Sequence, residues 1–296
     1  MTTRNTDSNS NIDSLLHATE LFMYEAIGHT KAEKLAAVMR YHLESGGARL
    51  RAKLALSAGI ALKLEQNVNV ALSACCELIH NASLLHDDIQ DGDERRRGRE
   101  AAWFKYDVNT ALCAGTLMLS AAYRAVSDVP VYASQLVAHL HQRTSDLISG
   151  QTMDLAATTQ HINVQNYLDM AIGKSGSLLA LPFELVMISA NQPAALPIAK
   201  AAGESFAVAY QIADDISDLE ADLSHHHTNI IGVLQHSGLD RFQALARANQ
   251  LAKAHLNLAT QYAAQLPANS GARFMPLCEA LAETIGSEPQ LSYEGV

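Results

Sequence analysis

Six aspartates in two matching clusters carry the strongest chemical signal in this chain: Asp87-Asp88-Ile89-Gln90-Asp91 and Asp214-Asp215-Ile216-Ser217-Asp218. In a helix, the first and last Asp of each cluster stand four residues apart on one face, with the middle Asp beside them. Like charges at that spacing repel, so an unaided helix would be weakened there. A bound multivalent cation removes the penalty. Carboxylate oxygens suit Mg2+, which takes one or two carboxylates together with substrate phosphates. One such cluster alone is more simply a solvated acidic face. Two of them, each preceded by apolar residues (Leu84-Leu85 and Ile212-Ala213), favour metal binding and predict the facing halves of a magnesium–diphosphate clamp.

Basic and polar residues lie where such a clamp needs them. Arg95, Arg96, Arg97, Gly98 and Arg99 follow the first cluster, and Arg forks bind phosphate oxygens bidentately. Arg95 and Arg99 read as a charged surface. Gly46-Gly47-Ala48-Arg49-Leu50-Arg51 places a flexible turn before a helix, whose first backbone amides could hold an anion beside Arg51. His80 lies two helical turns before Asp87 on nearly the same face, while His86 points elsewhere and reads as structural. Lys174-Ser175-Gly176 interrupts two apolar helices and suits a Lys reaching into a cavity from a kink. Gln151 and Asp154 sit in a polar interruption, and Gln211 lies one turn before Asp214. Adjacent His225-His226-His227 cannot all face one ion on regular backbone, so a polar loop is the better reading.

Helices must position these groups. The chain has 296 residues, 48% hydrophobic and 5% aromatic, with only 7 Pro. Helical periodicity begins near Ile12 and recurs almost to the end, with no run of alternating strands. The pattern predicts helices near 12–27, 30–44, 49–64, 67–91, 106–127, 130–158, 163–173, 175–190, 195–222, 239–265 and 273–283. Breaks fall at Gly46-Gly47, Asp91-Gly92-Asp93, Asp128-Val129-Pro130 and Asn191-Gln192-Pro193. Residues 1–11 read as a disordered arm, and no linker divides 12–296, so one all-α domain is expected.

A formal net charge of −10 gives no global basic field, so no nucleic-acid partner is expected. No stretch resembles a signal peptide, and no transmembrane segment is expected. Cys75, Cys76, Cys113 and Cys278 lack ligand-like spacing and read as buried free thiols of a cytoplasmic protein.

From Gly46 to Asp218 the sequence resembles the trans-polyprenyl diphosphate synthases, the farnesyl and geranylgeranyl diphosphate synthase family. The likeness is carried by His80-Asn-Ala-Ser-Leu-Leu-His-Asp87-Asp88-Ile-Gln-Asp91, by Arg96-Arg97-Gly98, and by Gln211-Ile-Ala-Asp214-Asp215-Ile-Ser-Asp218. The resemblance implies a single-domain isoprenoid-synthase-like helical bundle around a deep central cavity. It implies three Mg2+ ions held by Asp87, Asp88, Asp91, Asp214, Asp215 and Asp218. Arg96, Lys174, Ser175 (where Thr is usual) and Gln211 resemble the contacts to the allylic diphosphate. Arg51, His80 and Arg97 resemble those to isopentenyl diphosphate. Cleavage of the allylic carbon–oxygen bond would give a cation, which isopentenyl diphosphate attacks to extend the chain by five carbons. A homodimer is expected from the family, and a heteromer is the alternative.

The departures from the family pattern are specific. Ala48 replaces a usual Lys, and Arg49 beside it need not substitute, since neighbouring helical residues point about 100° apart. Glu100-Ala101 replaces the common Pro-Thr, Thr116 stands where Asp is common, and Ser224 to Thr228 carries His where Lys residues are usual. In the family a bulky aromatic five residues before the first Asp blocks product growth; here that position is Ala82, beside Ser83. The resemblance therefore implies a product of twenty carbons or more, with Tyr123 a candidate deeper limit. A weakly active or regulatory subunit is a competing expectation, motivated by Ala48. A terpene cyclase is another, disfavoured by the Asp-rich second cluster.

Overall fold

Helices form where apolar residues recur every three to four positions, and they stop at the turn residues between those runs. The computed structural model describes residues 3–28, 30–157, 162–219 and 228–286, with side chains from residue 11 onward. The His225-His226-His227 run lies outside them.

In chain order the helices are α1 (Thr3–Gly28), α2 (Glu33–Leu43), α3 (Leu50–Ala61), α4 (Gln66–Gln90), α5 (Ala102–Lys105), α6 (Val108–Ser127) and α7 (Ala133–Ala156). Then come α8 (Val164–Ala171), a π-helical turn (Ile172–Gly176), α9 (Ser177–Ser189), α10 (Leu196–Ser217), α11 (Ile230–His236), α12 (Arg241–Gln265) and α13 (Met275–Gly286). Between α4 and α5 two short strands, β1 (Arg95–Arg96) and β2 (Arg99–Glu100), pair antiparallel. The architecture is all-α.

Besides the short α5 and the β1–β2 hairpin, neither of them expected, three features differ from the sequence expectation. Residues 3–10 continue α1 inside the stretch expected as a disordered arm, since adding a residue to a nucleated helix gains a hydrogen bond for each one fixed. The break expected at Lys174 is a π turn joining α8 to α9. The apolar run of α11 is too short to show periodicity.

Tertiary contacts gather the chain into two compact units, each made of three stretches: 1–142 with 181–196 and 267–270, and 143–180 with 197–266 and 271–296. In the first unit α4 packs most extensively against α6, then against α3 and α1. Its Leu72, Leu78, Ile79 and Leu85 are buried, each worth about 1.5–3 kcal/mol of transfer free energy. In the second unit α12 buries a stripe of Ala244, Ala248, Ala252, Leu256, Ala259 and Ala263. Its start is fixed by a capping box between Asp240 and Gln243.

Two helical runs, Gln66–Gln90 and Val164–Ser189, are long and apolar enough to cross a membrane by composition alone. Each has 78% of its most apolar window buried by protein, as core helices do. Cys75, Cys76 and Cys278 are buried free thiols, but Cys113 is exposed. It falls off the α6 stripe of Ala111, Ala114, Met118 and Ala122 that faces the core.

Candidate active site

The first acidic cluster ends α4. His80, Ser83, Leu84 and Asp87 are partly exposed on successive turns of one face, and exposed Asp91 continues it. Asp88 is off that stripe and 1% exposed. Its carboxylate makes a close ion pair with Arg96 Nε, and Arg96 Nη2 lies 3.7 Å from Asp93. Asp88 Oδ2 is buried without a hydrogen-bond partner among the described residues. Burial pushes the Asp88 pKa up, opposed by the Arg96 guanidinium. Within this unit, then, Asp87 is partly exposed and Asp91 exposed, while buried Asp88 holds an arginine of the protein itself.

The β1–β2 hairpin delivers that arginine. Its two-residue turn has φ of 51° at Arg97 and 77° at Gly98, the left-handed pair of a type I′ turn, which Gly accepts without strain. Tyr41 anchors the hairpin. Its hydroxyl donates to the Glu100 carbonyl at 2.9 Å, and the Arg99 guanidinium sits 4.4 Å above its ring. Arg99 therefore does more than decorate a surface. Trp103 Nε1 donates to the Asp93 carbonyl at 2.8 Å. Arg97 Nη1 donates to the Gly46 carbonyl and, at 3.4 Å, to Ser45 Oγ.

Arg49 does not replace the cation missing at Ala48. Its Nε donates to Glu20 at 3.1 Å, Nη1 to the Gly46 carbonyl at 3.3 Å and Nη2 to the Leu43 carbonyl at 2.9 Å. The guanidinium satisfies carbonyls at and just beyond the end of α2. An anion does lie at the start of α3, but it is the protein's own: buried Glu77 accepts from Ala52 N at 3.1 Å. A helix N-terminus attracts the nearest carboxylate, and α4 supplies one. Burial depresses the imidazoles of His80 and His42, helped by Arg51 and Arg97 at His80 and by Arg97, Arg96 and Arg49 at His42. His42 falls to about 3 and His80 well below its ordinary value, so both are neutral at pH 7. Arg51 and Arg97 share this corner with buried Glu77. His86 packs against Gly115 of α6.

In the second unit, Lys174 projects from the π turn and its Nζ pairs closely with Asp154 of α7. The two elements nearly touch: a Cβ on Gly150 would lie 2.2 Å from Lys174 N. Ser175 is partly exposed and Gln151 is buried. At the end of α10, Asp214 and Asp218 are exposed, whereas Asp215 is 3% exposed. Asp215 Oδ2 accepts from the Tyr167 hydroxyl and from Ile230 N, both at 2.7 Å, and Oδ1 accepts from Gln211 Nε2 at 2.9 Å. Gln211, expected at a substrate, is thus bound to the middle aspartate. The two clusters sort alike by exposure: the outer aspartates reach the surface and the middle one is buried.

Residues 32–232 match the family model for polyprenyl synthetase. The chain belongs to the polyprenyl synthetase family. It is 31% identical over 196 residues to a short-chain isoprenyl diphosphate synthase of Methanocaldococcus jannaschii, a match covering 65% of this chain and 60% of that relative. A geranylgeranyl diphosphate synthase of Mycobacterium tuberculosis is 29% identical, covering 86% of this chain and 76% of the relative. The fold matches a decaprenyl diphosphate synthase from Rhodobacter capsulatus with a TM-score of 0.85 at 20% identity, over 94% of this chain and 98% of the other.

For this polyprenyl synthetase family member, the donor set fits magnesium. The exposed and partly exposed acids offer carboxylate oxygens, the ligands a hard cation takes. Among the described residues no group of three or more His, Cys, Asp or Glu could hold an ion by itself. Mg2+ usually shares one or two carboxylates with substrate phosphates rather than occupying an all-protein cage, so that absence is compatible with it. Sequence reasoning missed Tyr167 and Glu77, neither of which carried a local signal.

Proposed function

We propose that this protein is a Mg2+-dependent prenyltransferase that condenses isopentenyl diphosphate with an allylic diphosphate into a trans-polyprenyl diphosphate of twenty carbons or more. The observation that carries this reading is the shared sorting of the two acidic clusters. Asp87 with Asp91, and Asp214 with Asp218, bring surface-exposed or partly exposed carboxylates to one helical face each, and both pairs have cationic side chains in their own unit. Magnesium, when bound, would draw charge onto the leaving diphosphate oxygen. Arg51, Arg97 and neutral His80 would hold isopentenyl diphosphate, His80 as a hydrogen-bond donor rather than a charge. Lys174, Ser175 and Arg96 would take the allylic diphosphate, with Lys174 turning from Asp154 to phosphate. The allylic carbon–oxygen bond breaks, the double bond of isopentenyl diphosphate attacks the cation, and the proton lost passes to the released diphosphate.

Product length rests on small residues one turn before the acids. Ala82 is 3% exposed and lies about 140° around α4 from Asp87. Ser83 is the small residue on the acid-bearing face. Purified protein given Mg2+, isopentenyl diphosphate and farnesyl diphosphate should yield products of at least twenty carbons. Failure to extend farnesyl diphosphate would reject that length.

A weakly active or regulatory subunit is the second reading, favoured by the engagement of Arg49 with Glu20 and α2, which leaves the Ala48 position without a cation. Turnover that arises only on mixing with a partner synthase would select it.

A further inference from the structure

The middle aspartate of the second cluster sits in a buried network that bond cleavage and chain extension do not themselves require. Besides the three side-chain contacts of Asp215, its backbone carbonyl accepts from Asn229 Nδ2 at 2.7 Å. Asn229 Oδ1 in turn accepts from Ile231 N at 2.9 Å, capping α11. Tyr167 is 0% exposed and Asn229 is 1% exposed, so neither faces a ligand. Together they join three elements of one unit: α8 through Tyr167, the last turn of α10 through Asp215, and the start of α11 through Asn229 and Ile230.

The last turn of a helix is where it frays, because its final carbonyls lack helical donors. Here that turn also carries three aspartates within five residues, which repel one another. Both faults are met at Asp215. Asn229 supplies a donor to a terminal carbonyl, and Tyr167 with the Ile230 amide hold the middle carboxylate away from its neighbours.

We propose that Tyr167 and Asn229 are positioning residues for the second acidic cluster: by clamping Asp215 to α8 and α11, they keep the end of α10 helical with Asp214 and Asp218 on its exposed side. This rests on the reading of Asp214 and Asp218 as magnesium ligands.

Two substitutions separate the clamp from general packing. Tyr167→Phe removes one hydroxyl and keeps the ring. Asn229→Ser keeps an N-cap acceptor for Ile231 N but removes the donor to Asp215. Amide hydrogen exchange on metal-free protein and calorimetric titration of Mg2+ in the presence of inorganic diphosphate are the readouts. In both variants the Ile230 amide should exchange about tenfold faster, and Mg2+ affinity should fall about tenfold, with KM for isopentenyl diphosphate unchanged. Wild-type Mg2+ affinity in the variants overturns the positioning role, whether or not exchange accelerates. Absence of Mg2+ binding in the wild-type protein overturns the magnesium reading itself and the positioning role with it. If Tyr167→Phe does not fold, Asn229→Ser carries the test alone.

Discussion

Asp87 is partly exposed and Asp214 exposed, whereas Asp88 and Asp215 are at most 3% exposed, so alanine at each should fail differently. Asp87→Ala or Asp214→Ala should lower turnover on the order of 100-fold, with thermal stability near wild type because little is buried there. Asp215→Ala should also destabilise the fold by about 3 kcal/mol, since the Tyr167 hydroxyl and the Ile230 amide would be left unpaired. Thermal melts beside steady-state kinetics would check both outcomes. His42 supplies a pH test. The unfolded chain takes up a proton near the ordinary value of 6.5, the folded chain only near 3. This contribution to stability is therefore complete above the unfolded value and is lost as pH falls from about 6.5 towards 3, at up to about 1.4 kcal/mol per unit. His80 acts with the same sign, and Asp88, whose pKa is raised, with the opposite one. Urea unfolding at pH 7 and pH 5 should show a shallower loss in His42→Gln than in the wild type. The residue types at the acidic clusters were legible in the sequence because a spacing of four is diagnostic on a helix. Which aspartate is buried was not, because Asp88 and Asp215 are decided by Arg96 and Tyr167, at sequence separations of 8 and 48.

At the scale of elements, the close crossing of α7 and the π turn fixes where Lys174 starts. Gly150→Ala would place a Cβ 2.4 Å from the Gly173 carbonyl carbon as well as against Lys174 N, and backbone cannot yield as a side chain can. The expected result is a loss of about 2 kcal/mol in stability and a raised KM for the allylic diphosphate, with KM for isopentenyl diphosphate unchanged. A variant with wild-type melting temperature and both KM values unaltered would show that the crossing does not place Lys174. Helix positions were largely readable, because apolar periodicity and turn residues are local signals; α4, α6 and α12 lie within a few residues of expectation. The hairpin was not, since four strand residues around Arg97-Gly98 carry no alternation to read. Its existence depends on the I′ turn and on Tyr41 of α2, a tertiary partner.

At the scale of the whole molecule, each compact unit is assembled from three separated stretches of chain. Residues 181–196 bring Phe183, Leu185, Val186 and Met187, all 0% exposed, to the unit whose main part is 1–142. A fragment ending at Gln142 should therefore lack a cooperative unfolding transition, measured by circular dichroism in urea; a sharp transition would show that the first stretch is self-sufficient. By itself the sequence determined the helical architecture, the family and the six acids, because these follow from residue type, local period and short-range spacing. Only the tertiary structure decided that Glu77 occupies the α3 N-terminus, that Arg49 is engaged elsewhere, and that Asp88 and Asp215 face inward. Those outcomes depend on which distant side chain arrives at a buried polar group. A buried charge is stable only beside its partner, and the partner's position is set by packing rather than by the residues next to it in the chain.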